Sequence, residues 1–290
     1  MNAKILDGKK IAEKVRQELK TRVASLSRHG REIRIVSIVV GGEASALRYA
    51  DAQKRNADAI GIKYDLKKFP GDVSDSAVIE VIDALSRDPN VSGIVIQKPV
   101  PGHIDFHKIL GHINPVKDIE GMRAECISGL VFGKTDIVPC TAAAVMEHLR
   151  AAGVALRGKD VVIVGASEIV GKPLALLLLK EMATVTVCHI ATTEAGRLGD
   201  HVGRADILIV AVGKPCLING TMIKSGAVVI DVGTNLVDGK LTGDVDFDSA
   251  SQKASMMTPV PGGVGPVTVM MLMRNAVEAF EIQTNARQGV

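Results

Sequence analysis

The chain has 290 residues, 47% of them hydrophobic, which is enough to bury the cores of two domains. Its 35 basic and 32 acidic residues are interspersed and leave a net charge of +3, with no basic run interleaved with aromatics, so the pattern is not that of a nucleic-acid binder. Four cysteines at wide spacing, Cys126, Cys140, Cys188 and Cys216, form no C-x-x-C pair and predict neither a metal site nor a disulfide framework.

In chain order, Lys9 to Val23 reads as a helix and Ile33 to Val40 as a buried strand. A helix follows from Ala46 to Ile60, ended by Gly61, and then a strand from Ile62 to Phe69. Aromatics are few, with no Trp, two Tyr and five Phe, so Tyr49 on that second helix draws notice. Asp75 to Leu85 is helical, and Gly93 to Gln97 is a short strand that Lys98-Pro-Val-Pro-Gly102 punctuates. A loop-like segment then runs from Gly111 to Gly133.

Around Pro139-Cys-Thr141 the pattern restarts, with a helix through Arg150, a strand Asp160 to Gly165, a helix Val170 to Met182 and a strand Thr184 to His189. Further strands cover Ile207 to Ala211 and Val228 to Val232, and the last helix runs from Val264 to Ile282. Val- and Ile-rich strands alternating with helices predict an α/β fold with mainly parallel sheets. The start of the chain lacks a signal peptide's apolar stretch, and the densest apolar run, Leu174 to Leu179, is too short for a bilayer. The expectation is a soluble cytoplasmic protein with no membrane partner.

Val161-Val-Ile-Val-Gly-Ala-Ser-Glu-Ile-Val-Gly171 is a buried strand, a glycine turn and a helix start, an arrangement that lets a pyrophosphate approach backbone N–H groups. Its form is G-x-S-x-x-x-G, and packing alone also produces such turns. The next strand ends Cys188-His-Ile-Ala-Thr192, with neither an acid for a ribose hydroxyl nor an arginine for a 2′-phosphate. From these residues alone the choice of nucleotide stays open.

Several separated segments converge on one family. They are Gly93-Ile-Val-Ile-Gln-Lys-Pro-Val-Pro101, Pro115-Val-Lys-Asp-Ile-Glu-Gly121, Val138-Pro-Cys-Thr141, Val164 to Pro173, Ala227 to Gly233, Gly243-Asp-Val-Asp246 and Thr258 to Pro266. Through them the chain resembles the bifunctional methylenetetrahydrofolate dehydrogenase/cyclohydrolase family over nearly its whole length, from Leu6 to Ala279. The resemblance implies an N-terminal α/β folate domain, residues 1–139, which the C-terminal helix, residues 264–290, returns to complete. It implies a Rossmann-like NAD(P)-binding domain over 140–263, a homodimer, tetrahydrofolate derivatives as ligands and NADP as cofactor. The implied reaction is oxidation of 5,10-methylenetetrahydrofolate to the methenyl form, followed by hydrolysis to 10-formyltetrahydrofolate.

Carried over by position, the resemblance assigns Tyr49, Gln97 and Glu120 to folate and catalysis, and Pro261, Gly262 and Gly263 to the substrate loop. Gly165, Ala166, Ser167, Ile190 and Thr234 fall at nucleotide-contacting positions. The family's key lysine, one helical turn after the tyrosine, is here Gln53. Lys54 follows, but a one-residue step turns a side chain by about 100° around a helix. A neutral amide orients water without taking its proton, so hydrolysis is the activity this departure touches. Glu120 stands where the family has Asp, a carboxylate one methylene longer. Ala166 replaces an arginine and Ile190-Ala191 a Ser-Arg pair, which weakens the case for NADP over NAD, with Lys172 or Arg197 as substitutes. Lys98 is expected on the surface, the alternative being a new cation near the cleft. The alternative to an active dehydrogenase is a catalytically silent folate-binding or regulatory paralogue.

Overall fold

The computed structural model describes residues 2–27 and 32–288. Strands and helices succeed one another as β1 (Lys4–Ile5), α1 (Gly8–Ser27), β2 (Arg34–Val40), α2 (Ala44–Ile60), β3 (Lys63–Phe69), α3 (Asp75–Arg87), β4 (Gly93–Ile96), α4 (Phe106–Gly111) and α5 (Ala124–Phe132). The chain continues through α6 (Cys140–Ala151), β5 (Asp160–Val164), α7 (Gly171–Lys180), β6 (Thr184–Cys188), α8 (Ile190–Glu194), α9 (Leu198–Val202), β7 (Ile207–Val210) and β8 (Val228–Asp231). It ends with β9 (Asn235–Val237), β10 (Lys240–Thr242), α10 (Phe247–Ser251), β11 (Met256–Met257) and α11 (Val264–Gln288). The fold is α/β, with all sheet pairs parallel except the β9–β10 hairpin.

The chain divides into two units. One holds Lys14–Cys140 and the chain from Val269 onward, around the three-stranded sheet β3-β2-β4. Period-two alternation separates the two faces of this sheet. Val36, Ile38, Val40, Ile94 and Ile96 pack with Val78, Ile82 and Leu85 of α3 and with Ile109 and Leu110 of α4. Ile35, Ser37 and Val39 point the other way, and Gln97 and Tyr64 lie in register beside them. On α11, Glu278 and Glu281 both receive Arg22 of α1, the former at 2.7 Å.

The other unit comprises the chain up to Glu13 and Thr141–Thr268, around the six-stranded sheet β1-β11-β8-β7-β5-β6. The N-terminal residues here cluster apart from the unit in which they were expected. β1 hydrogen-bonds beside β11, and the Gly8 N–H donates to Gly262 O at 3.0 Å, so the first residues belong with the nucleotide-type sheet. The expected loop from Gly111 to Gly133 is corrected, because Ala124–Phe132 is helical and ends at Gly133 in the left-handed conformation. The short elements β1, β9, β10, β11, α8, α9 and α10 were not expected; none is longer than five residues, too few for a period to show.

Ile94 is fully buried on β4, whereas Val131 on α5 is 59% exposed. Ile94→Ala should cost about 2–5 kcal/mol and lower the urea midpoint followed by circular dichroism. Val131→Ala should leave that midpoint nearly unchanged.

Candidate functional site

In the first unit, a polar cluster forms where α2 covers the Ser37 face of the sheet. Tyr49 and Gln53 are one turn apart on α2 and so share a face. Gln97 follows β4 directly, and its N–H donates to Ile38 O at 2.8 Å, which continues the ladder. Its Nε2 donates to Ser37 Oγ at 3.0 Å and to Gln53 Oε1 at 2.6 Å. Tyr64 of β3 donates its hydroxyl to the same Gln53 oxygen at 2.6 Å. Ser37, Gln53, Gln97 and Tyr64 are all buried. The Gln53 Nε2 atom is left without a partner.

Lys54 points elsewhere, half-exposed and paired with Asp58 at 3.1 Å on the same helix. Lys98 is exposed, with its ammonium 3.7 Å from the centre of the Phe106 ring. It is still near enough to favour ionisation of Glu120.

Glu120 lies in a turn that side chains anchor to the sheet. The Lys117 ammonium is buried and donates to Leu85 O at 3.1 Å and Asp88 O at 2.6 Å. Asp118 bridges alongside Ile94 and accepts the N–H groups of Gly121 at 3.2 Å and Arg123 at 2.7 Å. Asn275 of α11 donates to Ile119 O at 2.8 Å and Val138 O at 2.7 Å. Gly93 makes room for the turn, since a Cβ there would lie 2.6 Å from the Ile119 side chain.

The acids of this cluster all resist ionisation. Burial and then the neighbouring Asp118 push Glu120 up to about 8, against the opposing pull of Lys98. Burial of the hydroxyl, followed by Cys140 and Glu120, raises the Tyr49 phenol, although the residue as a whole is 40% exposed. Burial and Glu120 likewise raise the Cys140 thiol. With a neutral amide at position 53, the side chains of this cluster hold no cation close enough to cancel the loss of water.

In the second unit, a pocket of about 320 Å³ opens where the C-terminal ends of β6, β5 and β7 lie side by side. The chain leaves β5 toward β6 and returns across it to β7, which makes this the switch point of the sheet. Val164, Gly165, Ala166, Ser167, His189 and Ile190 line one part of it. Ala211, Val212 and Lys214 line another. Gly165 has φ 122°, and a Cβ on it would lie 2.2 Å from Ala211 O. A Cβ on Gly171 would lie 1.9 Å from Gly165 O. Only glycines let the turn close down in this way. Ser167 Oγ accepts the Val170 N–H at 3.2 Å at the start of α7.

Thr234 is exposed and does not line the pocket. Lys172 and Arg197 are also outside its lining, whereas Lys214 and His189 are in it. The pocket wall after β7 is held from behind, because Asp244 accepts the N–H groups of Val212 at 2.6 Å and Gly213 at 3.0 Å. Asp231 accepts those of Gly233, Asp244 and Val245, and burial raises its carboxyl to about 6 against these bonds. The Pro261–Gly263 loop lies in this unit, close against Gly8, where a Cβ would meet Gly263 O at 1.8 Å.

Sequence reasoning missed Tyr64, Ser37, Asp244 and Lys214. Asp244 was visible only as part of Gly243-Asp-Val-Asp246, and Tyr64 only as the second of two tyrosines. Among the described residues no helix is long and apolar enough to cross a membrane, and no group of three or more His, Cys, Asp or Glu is placed to hold a metal ion.

A parallel sheet with a glycine turn and pocket at its switch point defines a nucleotide-binding class of α/β protein. Comparison with known proteins narrows this class. Residues 6–120 match the catalytic domain of tetrahydrofolate dehydrogenase/cyclohydrolase, and residues 139–284 match its NAD(P)-binding domain. The bifunctional protein FolD of Acetivibrio thermocellus is 43% identical over 288 residues, 99% of this chain and 100% of that protein. The crystal structure of FolD from Campylobacter jejuni matches with a TM-score of 0.94 and 38% identity, covering 97% of this chain and 99% of that one. That of the Trypanosoma brucei enzyme, complexed with NADP and an inhibitor, matches with a TM-score of 0.93 and 39% identity, covering 98% and 99%. This chain belongs to the tetrahydrofolate dehydrogenase/cyclohydrolase family.

The raised Glu120 carboxyl makes stability depend on pH. Unfolded, it ionises near 4.5; folded, near 8, so between these values the folded chain holds the extra proton. Its contribution is complete below about 4.5 and is lost as pH rises through 8. Thermal melting between pH 5 and 9 should show a steeper decline for the unaltered chain than for Glu120→Gln, which has no proton to lose there. Parallel profiles would remove the assignment.

Proposed function

We propose that this chain keeps the dehydrogenase half of its family's chemistry and has lost most of the hydrolytic half. As a member of the family it oxidises 5,10-methylenetetrahydrofolate to 5,10-methenyltetrahydrofolate with a nicotinamide cofactor. Tyr49 lies against the folate ring, the Glu120 carbonyl oxygen accepts an N–H group of its amino-pyrimidinone edge, and the Gln97 and Gln53 amides complete the polar contacts. Pro261, Gly262 and Gly263 are assigned to ligand contact on the family's pattern.

The glycine cradle at Gly165 and Gly171 and the pocket at the switch point fit a dinucleotide. Gly165, Ala166, Ser167 and Ile190 hold it there, with Thr234 retained only as a contact made from outside the pocket lining. The bound cofactor supplies a hydride acceptor. NADP is the proposed choice, with NAD accepted as well, because the lining offers Lys214 and His189 to a 2′-phosphate but no arginine, and no acid to a ribose diol.

Hydride leaves the bridging carbon as a ring nitrogen's lone pair pushes, so this step depends mainly on position. A neutral Gln53 does not repel the cation that forms. Hydrolysis of that cation needs a group to take water's proton. Both lone pairs of Gln53 Oε1 are already engaged, by Tyr64 and by Gln97, and this observation carries the reading. Glu120, protonated below about pH 8, is no substitute at neutral pH.

A cytoplasmic homodimer is part of the same proposal. β3 is an edge strand, which leaves its outer backbone groups open to a second copy.

Purified protein given methylenetetrahydrofolate and NADP, or NAD, should form the methenyl product, which then disappears at close to its spontaneous rate. Gln53→Lys should speed that disappearance by about 100-fold or more. Hydrolysis as fast as oxidation in the unaltered chain would contradict the reading. Tight folate binding with no turnover on either cofactor would point to a silent paralogue.

A further inference from the structure

Hydrogen-bonding capacity can be counted atom by atom around Gln53. A glutamine side chain offers two acceptor lone pairs and two N–H donors. Tyr64 and Gln97 each donate to Oε1 at 2.6 Å, so the acceptor end is full. Gln97 spends its other N–H on Ser37 Oγ at 3.0 Å, which ties it to the central strand. The donor end of Gln53 makes no hydrogen bond of good geometry, although the residue has no exposed surface; its one polar neighbour is the Tyr49 hydroxyl. A buried amide N–H without an acceptor is costly, and such groups are few in native proteins. An incoming ligand that carries an acceptor removes that cost.

The two donors to Oε1 come from different elements. Gln97 alone fills one lone pair. Tyr64 fills the other from β3, where it lies in register with Ile35 of β2. Without the Tyr64 hydroxyl, one lone pair of the oxygen is open, and turning the amide end for end sacrifices only the bond to Gln97. With it, the oxygen is turned to the sheet and the N–H groups are turned away from it. The Tyr49 hydroxyl, held neutral by burial, is next to the same amide.

We infer that Tyr64 is a positioning residue for the folate reaction: its hydroxyl holds the Gln53 amide oxygen against the sheet, so that Gln53 Nε2 donates to an acceptor atom of the folate. Position 53 then works as a recognition group and not as a base. This rests on the folate reading above and adds to it the residue that sets the direction of the amide.

The test is calorimetric binding of tetrahydrofolate, with steady-state kinetics on the methylene substrate, for the intact chain and for Tyr64→Phe and Gln53→Glu. Tyr64→Phe should weaken tetrahydrofolate binding and raise KM for the methylene substrate about 5- to 10-fold. Its kcat should stay within about twofold, with the KM for the nicotinamide cofactor unchanged. Gln53→Glu keeps the shape but exchanges the donor for an acceptor, and should weaken binding about 10- to 100-fold. Melting temperatures confirm that each variant is folded; if Tyr64→Phe is not, Gln53→Glu decides alone. Undiminished tetrahydrofolate affinity in the folded variants, or a loss confined to kcat, overturns the inference while hydride transfer by the intact chain keeps the dehydrogenase reading. An intact chain that transfers no hydride overturns that reading, and the inference with it.

Discussion

Parallel strands buried on both faces leave only their ends for chemistry, and this constraint places both candidate sites. Gln97 is the first residue beyond β4, and Gly165 the first beyond β5. In each unit the carboxyl end of the sheet brings backbone and side chains from several strands to one spot. Supports reach these spots from behind. Lys117 ties the Glu120 turn to carbonyls at the end of α3, and Asp244 ties the turn after β7 that walls the pocket at the switch point. Both supporting side chains are buried, and each spends its charge within the protein, Lys117 on backbone carbonyls and Asp244 on backbone N–H groups and the Asn235 amide, so neither is available to a ligand.

The two sites differ in electrostatic character. The nucleotide pocket carries Lys214 and His189 in a mostly apolar lining, which suits an anionic ligand. The polar cluster beneath α2 instead gathers Glu120, Asp118, Tyr49 and Cys140, each held toward its neutral form chiefly by burial. A lysine at position 53 would oppose those shifts. With glutamine there, the acids stay protonated further up the pH scale, so one substitution alters both a side chain and the ionisation of its neighbours.

Much of this arrangement is legible in the sequence. The long strands and helices announce themselves through Val and Ile runs and through helical period, and Gly165 and Gly171 mark the turn that only glycine can make. The place of Gln53, one turn from Tyr49, also follows from helix geometry. What could not be read is what crosses between elements. Nothing in the run from Lys63 to Phe69 says that Tyr64 reaches back to a helix eleven residues earlier, because that contact depends on how α2 lies over the sheet. Short pieces such as β1 and β11 escape for a different reason: two residues have no period, and their pairing with each other decides which unit the N-terminus joins. Thr234 was reached by pattern alone, and it lies outside the lining of the pocket at the switch point.

The hydroxyl of Tyr64 both donates and accepts hydrogen bonds. It gives its proton to an amide oxygen at position 53, and it would equally receive one from an ammonium group in the same place. Tyr64 is therefore met by glutamine or by lysine, whereas Gln97, whose N–H donates to the Gln53 oxygen, would have to give that bond up.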